Sequence, residues 1–258
     1  MTETSIIEIE RLNKIYGSYH ALIDLDLTVR RGEIFGLLGP NGAGKTTTIK
    51  MLMGILQPSS GAARIAGFDC FKHRPEVMRH VGYLPDEPTF YDYLRGTELL
   101  EFAGSMHGMA IRDIRARSNE LVERLELQDA IRDFAVNYST GMKKKLGLML
   151  AMLHAPELLI LDEPTNGLDP LSTRTMHQMM REQAAQGKSI FYSTHLLDQA
   201  EKLCHRTGII YRGKLAAVGP LEELRGQLAP GSSLEDIFFA VTSQATPAAP
   251  TPPPPGPA

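Results

Sequence analysis

The chain of 258 residues contains no tryptophan and only two cysteines, Cys70 and Cys204, and its apolar runs are short. The two cysteines stand far apart in unrelated contexts, which excludes a disulfide framework and a metal-ligand spacing and fits a reducing compartment. The longest apolar stretch, around residues 146–153, is far too short to cross a bilayer, so any membrane role is expected to come through a partner. No N-terminal leader of the charged-then-apolar kind is expected either. Positive charge is also lacking: the formal net charge is −3, which gives no overall attraction for a nucleic acid backbone. The one dense basic cluster, Lys143-Lys144-Lys145, reads as a solvated helix face. What is present is ample apolar content, 43% of residues, enough for one large domain or two small lobes.

The most informative segment runs from Gly39 to Thr46, GPNGAGKT, the G-x-x-x-x-G-K-[ST] pattern. Gly39, Pro40, Asn41, Gly42, Ala43 and Gly44 bend the backbone so that successive N–H groups face one point, where a phosphate is held. A short apolar strand from Glu33 precedes the loop and a helical segment from Lys45 to Leu56 follows it, the context this motif needs. A helix N-terminus offers unpaired N–H donors and partial positive charge to a triphosphate. Lys45 is expected to reach the β and γ phosphates, and the Thr46 hydroxyl to ligate Mg²⁺.

Alternation over residues 5–29 predicts an antiparallel β lobe leading into an α/β core. Residues 61–67 and 79–84 read as two further strands. From residue 97 to 156 the pattern is helical, with Ile114, Leu121, Val122 and Leu125 at helix spacing, which predicts a helical subdomain over about 86–156 inserted in the core. Strands return at residues 158–161 and 189–193 around a Met-rich helix over 172–186, the alternation of parallel βαβ units. Beyond Gln244 the chain is mostly Pro, Ala and Thr, which predicts a disordered tail.

The strand Leu158 to Leu161 runs into Asp162 and Glu163, and ligands of parallel sheets gather at the carboxyl ends of strands. Asp162 is expected to hold Mg²⁺, directly or through water, and Glu163 to orient and deprotonate the water that attacks the γ phosphate. His195 follows the next strand and is expected to contact that phosphate through an imidazole N–H.

With these residues in this order, the chain resembles the ATP-binding cassette family, the nucleotide-binding subunits of ABC transporters, from about residue 5 to 241. The resemblance implies an α/β fold with a P-loop NTPase core, an antiparallel β subdomain and the inserted helices over 5–241, which leaves 242–258 as the Pro-rich disordered tail expected from composition. It adds Tyr16 as the aromatic that stacks on adenine and Thr47 as a further nucleotide contact. Ser139, Thr140 and Gly141 match the signature segment, Asp169 the D-loop acid, and His195 the switch histidine. Asp86 occupies the position where the family normally has a glutamine that touches Mg²⁺, and is expected to serve that ion with altered timing of hydrolysis. The family mechanism implies two cassettes packed head to tail, each ATP lying between the phosphate loop of one and the Ser139 helix start of the other.

The segment from Gly82 to Pro88 is similar to exporter cassettes encoded apart from their permease. The resemblance therefore implies an ATPase that powers a separate transmembrane permease as a homodimer or beside a second cassette, at the cytoplasmic face of the membrane. ATP and Mg²⁺ are the expected cofactors and no nucleic acid partner is expected. A soluble cassette that clamps a nucleic acid or a ribosome is the alternative function, and a regulator that has lost hydrolysis is a third. The signature departs from the usual Leu-Ser-Gly-Gly-Gln: Thr140 adds a β-branched side chain and Met142 removes an amide.

Overall fold

The computed structural model describes residues 5–226 and 234–243. The alternating N-terminal segment forms two long strands, β1 (Ser5–Tyr16) and β2 (Tyr19–Arg30), which pair antiparallel. With β4 (Ser60–Ile65) and β5 (Phe68–Asp69) they make a four-stranded sheet in the order β2-β1-β4-β5. One face of β1 and β2 buries Ile7, Ile9, Leu12, Leu22, Leu25 and Leu27, so the alternation in sequence becomes a face of the core.

The second sheet has six strands in the order β10-β9-β3-β8-β7-β6. Its members are β3 (Ile34–Leu38), β6 (Val81–Leu84), β7 (Leu158–Asp162), β8 (Ser189–Thr194), β9 (Arg206–Tyr211) and β10 (Lys214–Gly219). The strands from β6 to β9 run parallel and β10 closes the edge antiparallel. β3, β7 and β8 are buried along their whole length, as expected of strands covered on both faces.

Between these strands lie α1 (Lys45–Leu52), α2 (Arg74–His80), α3 (Gly96–Met106), α4 (Ile111–Arg124), α5 (Thr140–Met152), α6 (Pro170–Ala185), α7 (Leu197–Leu203), α8 (Leu221–Gly226) and α9 (Leu234–Ser243). The helices α3, α4 and α5 fall between β6 and β7 in the chain and share a core built from Leu99, Ile114, Leu121, Leu146 and Met149. α5 also lies close on β6: a Cβ added at Gly82 would stand 1.9 Å from the carbonyl oxygen of Ala151, so only glycine admits this approach.

Three expectations need correction. Residues 79 and 80 end α2 instead of opening a strand, because Pro75 and the buried Val77 set up a helix one turn earlier. α1 stops at Leu52, ahead of Gly54, whose φ of 62° turns the chain. The lysine run is not a uniform solvated face: Lys144 is buried at 1% exposure. The expected tail lies, from residue 244 onward, outside the described residues, while residues 242 and 243 complete α9.

Candidate active site

Four parallel strands deliver their carboxyl ends to one edge of the six-stranded sheet. β3 ends beside β8 with Leu38 paired to Thr194, β8 beside β7 with Ser193 paired to Asp162, and β7 beside β6 with Leu161 paired to Leu84. The residues immediately after these strands are Gly39, His195, Glu163 and, two positions beyond β6, Asp86. Parallel register brings together residues that are remote in sequence.

The loop from Gly39 to Gly44 leads directly into α1. Gly44 has φ 115°, and a Cβ there would meet Leu22 Cδ2 at 2.7 Å, so glycine is required both for the turn and for the approach of β2. One cleft is lined by Tyr16, Pro40, Asn41, Gly42, Gly44, Lys45, Thr46 and Thr47 together with Asp86 and Glu163. Tyr16 ends β1 at 49% exposure, with its ring open to the cleft side and Nζ of Lys14 5.0 Å from its centroid. Ala43 is buried and donates its N–H to the carbonyl of Pro40.

Lys45 is almost fully buried. Its Nζ donates to the carbonyl of Gly39 at 2.6 Å and lies 3.2 Å from Oε1 of Glu163. Glu163 has φ 44°, a left-handed conformation uncommon for a non-glycine residue and often found at functional sites. Its Oε2 meets Nδ1 of His195 at 3.0 Å, whereas Oε1 is buried without an aligned hydrogen-bond donor. Lys45, Glu163 and His195 thus form one chain of contacts.

Ser193 accepts the backbone N–H of Glu163 at 3.1 Å and donates to Oδ1 of Asp162. Burial raises the Asp162 carboxyl above its ordinary value, and hydrogen bonds from Ser193 and Thr46 oppose that rise. Nearby Tyr83 is pushed up to about 12 by burial and by the charges of Asp162 and Asp86. Ser193 escaped the sequence reading because a serine inside an apolar strand carries no motif.

A second missed residue is Lys144. Its Nζ donates to the Glu163 carbonyl at 2.7 Å and to Oδ1 of Asp86 at 3.2 Å. Burial lowers its affinity for a proton below that of an ordinary lysine, and the Asp86 contact offsets only part of that fall. Asn166 approaches the same Asp86 oxygen at 3.4 Å. No periodicity marks Lys144 out, since the positions that follow Lys145 on its own face, 148, 149 and 152, are as buried as those that follow Lys144, 148, 151 and 152.

The structure does not bring the signature segment into this cleft. Ser139 and Thr140 are exposed at the start of α5, where Oγ of Ser139 accepts the Met142 N–H at 3.2 Å. Thr140 and Gly141 pack against the 167–168 turn: a Cβ at Gly167 would lie 3.1 Å from Cγ2 of Thr140, and one at Gly141 would lie 3.5 Å from the Gly167 carbonyl. Met142 leans on the core of the helical region. Asp169 caps α6, accepting from the Ser172 N–H at 2.9 Å and from the Ser172 hydroxyl at 2.6 Å.

Hard oxygen donors from Thr46, Asp86 and Asp162 suit a cation such as Mg²⁺, which uses few protein ligands and completes its shell with phosphate and water. Among the described residues no group of three or more His, Cys, Asp or Glu side chains could hold a metal by itself.

Residues 22–166 match the family model described as ABC transporter. A Bacillus subtilis (strain 168) protein named as the uncharacterized ABC transporter ATP-binding protein YdbJ is 43% identical over 82% of this chain and 68% of its own length. The Bacillus licheniformis bacitracin transport ATP-binding protein BcrA is 40% identical over 86% of this chain and 72% of its own length. A solved structure described as the ATP binding subunit of an ABC transporter superposes with a TM-score of 0.87 at 34% identity, covering 92% of this chain and 99% of that one.

Proposed function

The chain belongs to the ABC transporter family as an ATP-binding, ATP-hydrolysing subunit, and from that premise we propose how its own residues carry the work. A subunit of this kind acts with a transmembrane partner and through dimerisation. Among the described residues no helix is long and apolar enough to cross a membrane. In this reading, which rests on the likeness of residues 82–88 to exporter cassettes encoded apart from their permease, the permease is a separate chain and this subunit sits peripherally at its cytoplasmic face. The bacitracin transport protein among its relatives supports a transport role, and export is the direction that the likeness of residues 82–88 to exporter cassettes implies. In this assignment the cassette spans residues 5–241, with the helices of about 86–156 as the part that meets the permease.

Adenine stacks on Tyr16, and the amides from Gly39 to Thr47 hold the phosphates. Lys45 exchanges its contact with Glu163 for the β and γ phosphates, because a multiply charged phosphate outcompetes one carboxylate. Released from that contact, Glu163 accepts a proton from the attacking water, and His195 holds the γ phosphate. Thr46, Asp162 and Asp86 would hold Mg²⁺, which when bound supplies positive charge to the phosphates.

The observation that carries the reading is the buried Oε1 of Glu163: an acceptor without a hydrogen bond, 3.2 Å from the phosphate-loop lysine and facing the cleft. The second carrier of the cycle is Ser139, Thr140, Gly141 and Asp169, which lie outside the cleft lining. In a head-to-tail dimer those residues of one copy face the nucleotide held by the other, adding a second helix N-terminus to the γ phosphate. The pair is either two copies of this chain or this chain with a second cassette.

The test is ATP-dependent association. Purified Glu163→Gln should bind Mg·ATP, stay bound and elute as a dimer, whereas a strictly monomeric protein at saturating ATP would refute the reading. Co-purification of a polytopic membrane protein with the wild-type subunit identifies the permease; recovery with ribosomes or nucleic acid instead would favour a soluble clamp.

A further inference from the structure

A lysine ammonium buried at 1% exposure costs folding free energy that an apolar side chain of similar shape would not. Lys144 is therefore poorly explained as a stabiliser of α5, whose neighbouring inward positions Leu148, Ala151 and Met152 are apolar. What distinguishes it is its company. The single Nζ joins three segments: α5 itself, the turn after β7 through the Glu163 carbonyl, and the loop after β6 through Asp86. One turn along α5 from the lysine the helix lies close on the end of β6, where a Cβ added at Gly147 would stand 2.6 Å from Cδ1 of Leu84.

The charge balance points the same way. Asp86, Asp162 and Glu163 gather three carboxylates around the phosphate end of the cleft, while Lys45 supplies one cation from the phosphate loop. Lys144 adds the second, against the Asp86 carboxylate, which is 45% exposed and lines the same cleft. Without it, Asp86 would stand as an uncompensated anion toward an incoming triphosphate.

We propose that Lys144 is a positioning residue of the hydrolysis site: it offsets the charge of Asp86 and pins the Glu163 main chain to the helix that begins at Ser139. The carboxylate at position 86 and the lysine at position 144 then act as one unit, and each has a cost when the other is missing. The inference rests on the nucleotide-binding reading above but is tested separately from it.

The measurement is binding of a fluorescent ATP analogue in EDTA, where no divalent ion masks the protein's own charges. Lys144→Gln, which keeps an N–H donor for the Glu163 carbonyl, should weaken binding about threefold to tenfold, because Asp86 is left unopposed. Asp86→Asn, which keeps an amide oxygen as an acceptor for Nζ of Lys144, should tighten binding by a similar factor. The double variant should return to within about twofold of wild type, since opposite effects of a coupled pair cancel. In the presence of Mg²⁺, Lys144→Gln should lower kcat more than it changes KM, and the double variant should recover part of that loss. Single variants that shift affinity in the same direction, or Asp86→Asn without effect, overturn the proposal. Failure of the wild-type protein to bind the analogue both in EDTA and with Mg²⁺ present would instead overturn the functional reading.

Discussion

Nζ of Lys45 and Oε1 of Glu163 stand 3.2 Å apart, both side chains at most 7% exposed, one from the phosphate loop and the other from the end of β7. A buried ion pair of this kind gains less than its Coulomb attraction suggests, because both charges have left water. It is therefore readily traded for a better partner.

That trade sets opposite expectations for the two residues. Glu163→Gln removes the proposed base while lifting a competitor from Lys45, so turnover should fall by about 10²–10⁴-fold while ATP affinity holds or improves. Rapid-quench turnover alongside equilibrium nucleotide binding checks both halves.

Lys45→Ala should do the reverse to binding. It removes charge-assisted contacts to the phosphates and strands Glu163 as a buried anion, so ATP affinity should drop by about tenfold to a hundredfold. Isothermal titration against Mg·ATP measures it, and unchanged affinity would remove Lys45 from the phosphate site.

Ser139 caps α5 and is proposed to face nucleotide across a dimer, two tasks that can be separated. As the cap of α5 its loss in Ser139→Ala should cost about 1 kcal/mol, seen as a melting temperature lower by about 2–4 °C. As a residue that faces nucleotide across a dimer, it should leave monomer ATP binding intact while weakening ATP-driven dimerisation of the Glu163→Gln protein. Size-exclusion chromatography with and without ATP separates the two tasks.

A pH effect should arise far from the nucleotide. His154 stacks on His107 with ring centroids 3.7 Å apart, and burial together with that neighbour lowers its pKa to about 4. Its Nε2 meets the Val81 carbonyl at 3.2 Å while Nδ1 is buried without a partner, so the neutral ring fits and the cation does not. The unfolded chain binds this proton near the ordinary value of 6.5. Stability from this group is thus full above about pH 6.5 and is lost as pH falls toward 4. Melting curves at pH 7 and pH 5 should show a loss that His154→Gln reduces.

Much of the site was legible without coordinates because its parts are local. A glycine-rich loop between strand and helix, or two acids after a buried strand, fixes its own conformation and chemistry within a few residues. Lys144 was illegible for the opposite reason. Three adjacent lysines look alike in sequence, and α5 is buried on more than one side, so only the packing of the helix against β6 and the turn after β7 marks the middle one as inward. Ser193 is similar, since its value comes from Asp162 and Glu163 on the neighbouring strand.

The sequence by itself determined the strand, loop and helix around Gly39 to Thr46, the acids that end β7, and the alternating strands that pair into the first sheet. These depend on backbone preference and on residues near in the chain. Only the tertiary structure decided that the ends of β3, β8, β7 and β6 meet at one edge, that Glu163 stands between Lys45 and His195, and that Lys144 turns inward to Asp86. Those arrangements rest on parallel register and on helix packing across long sequence separations, where distance in space is set by the whole core.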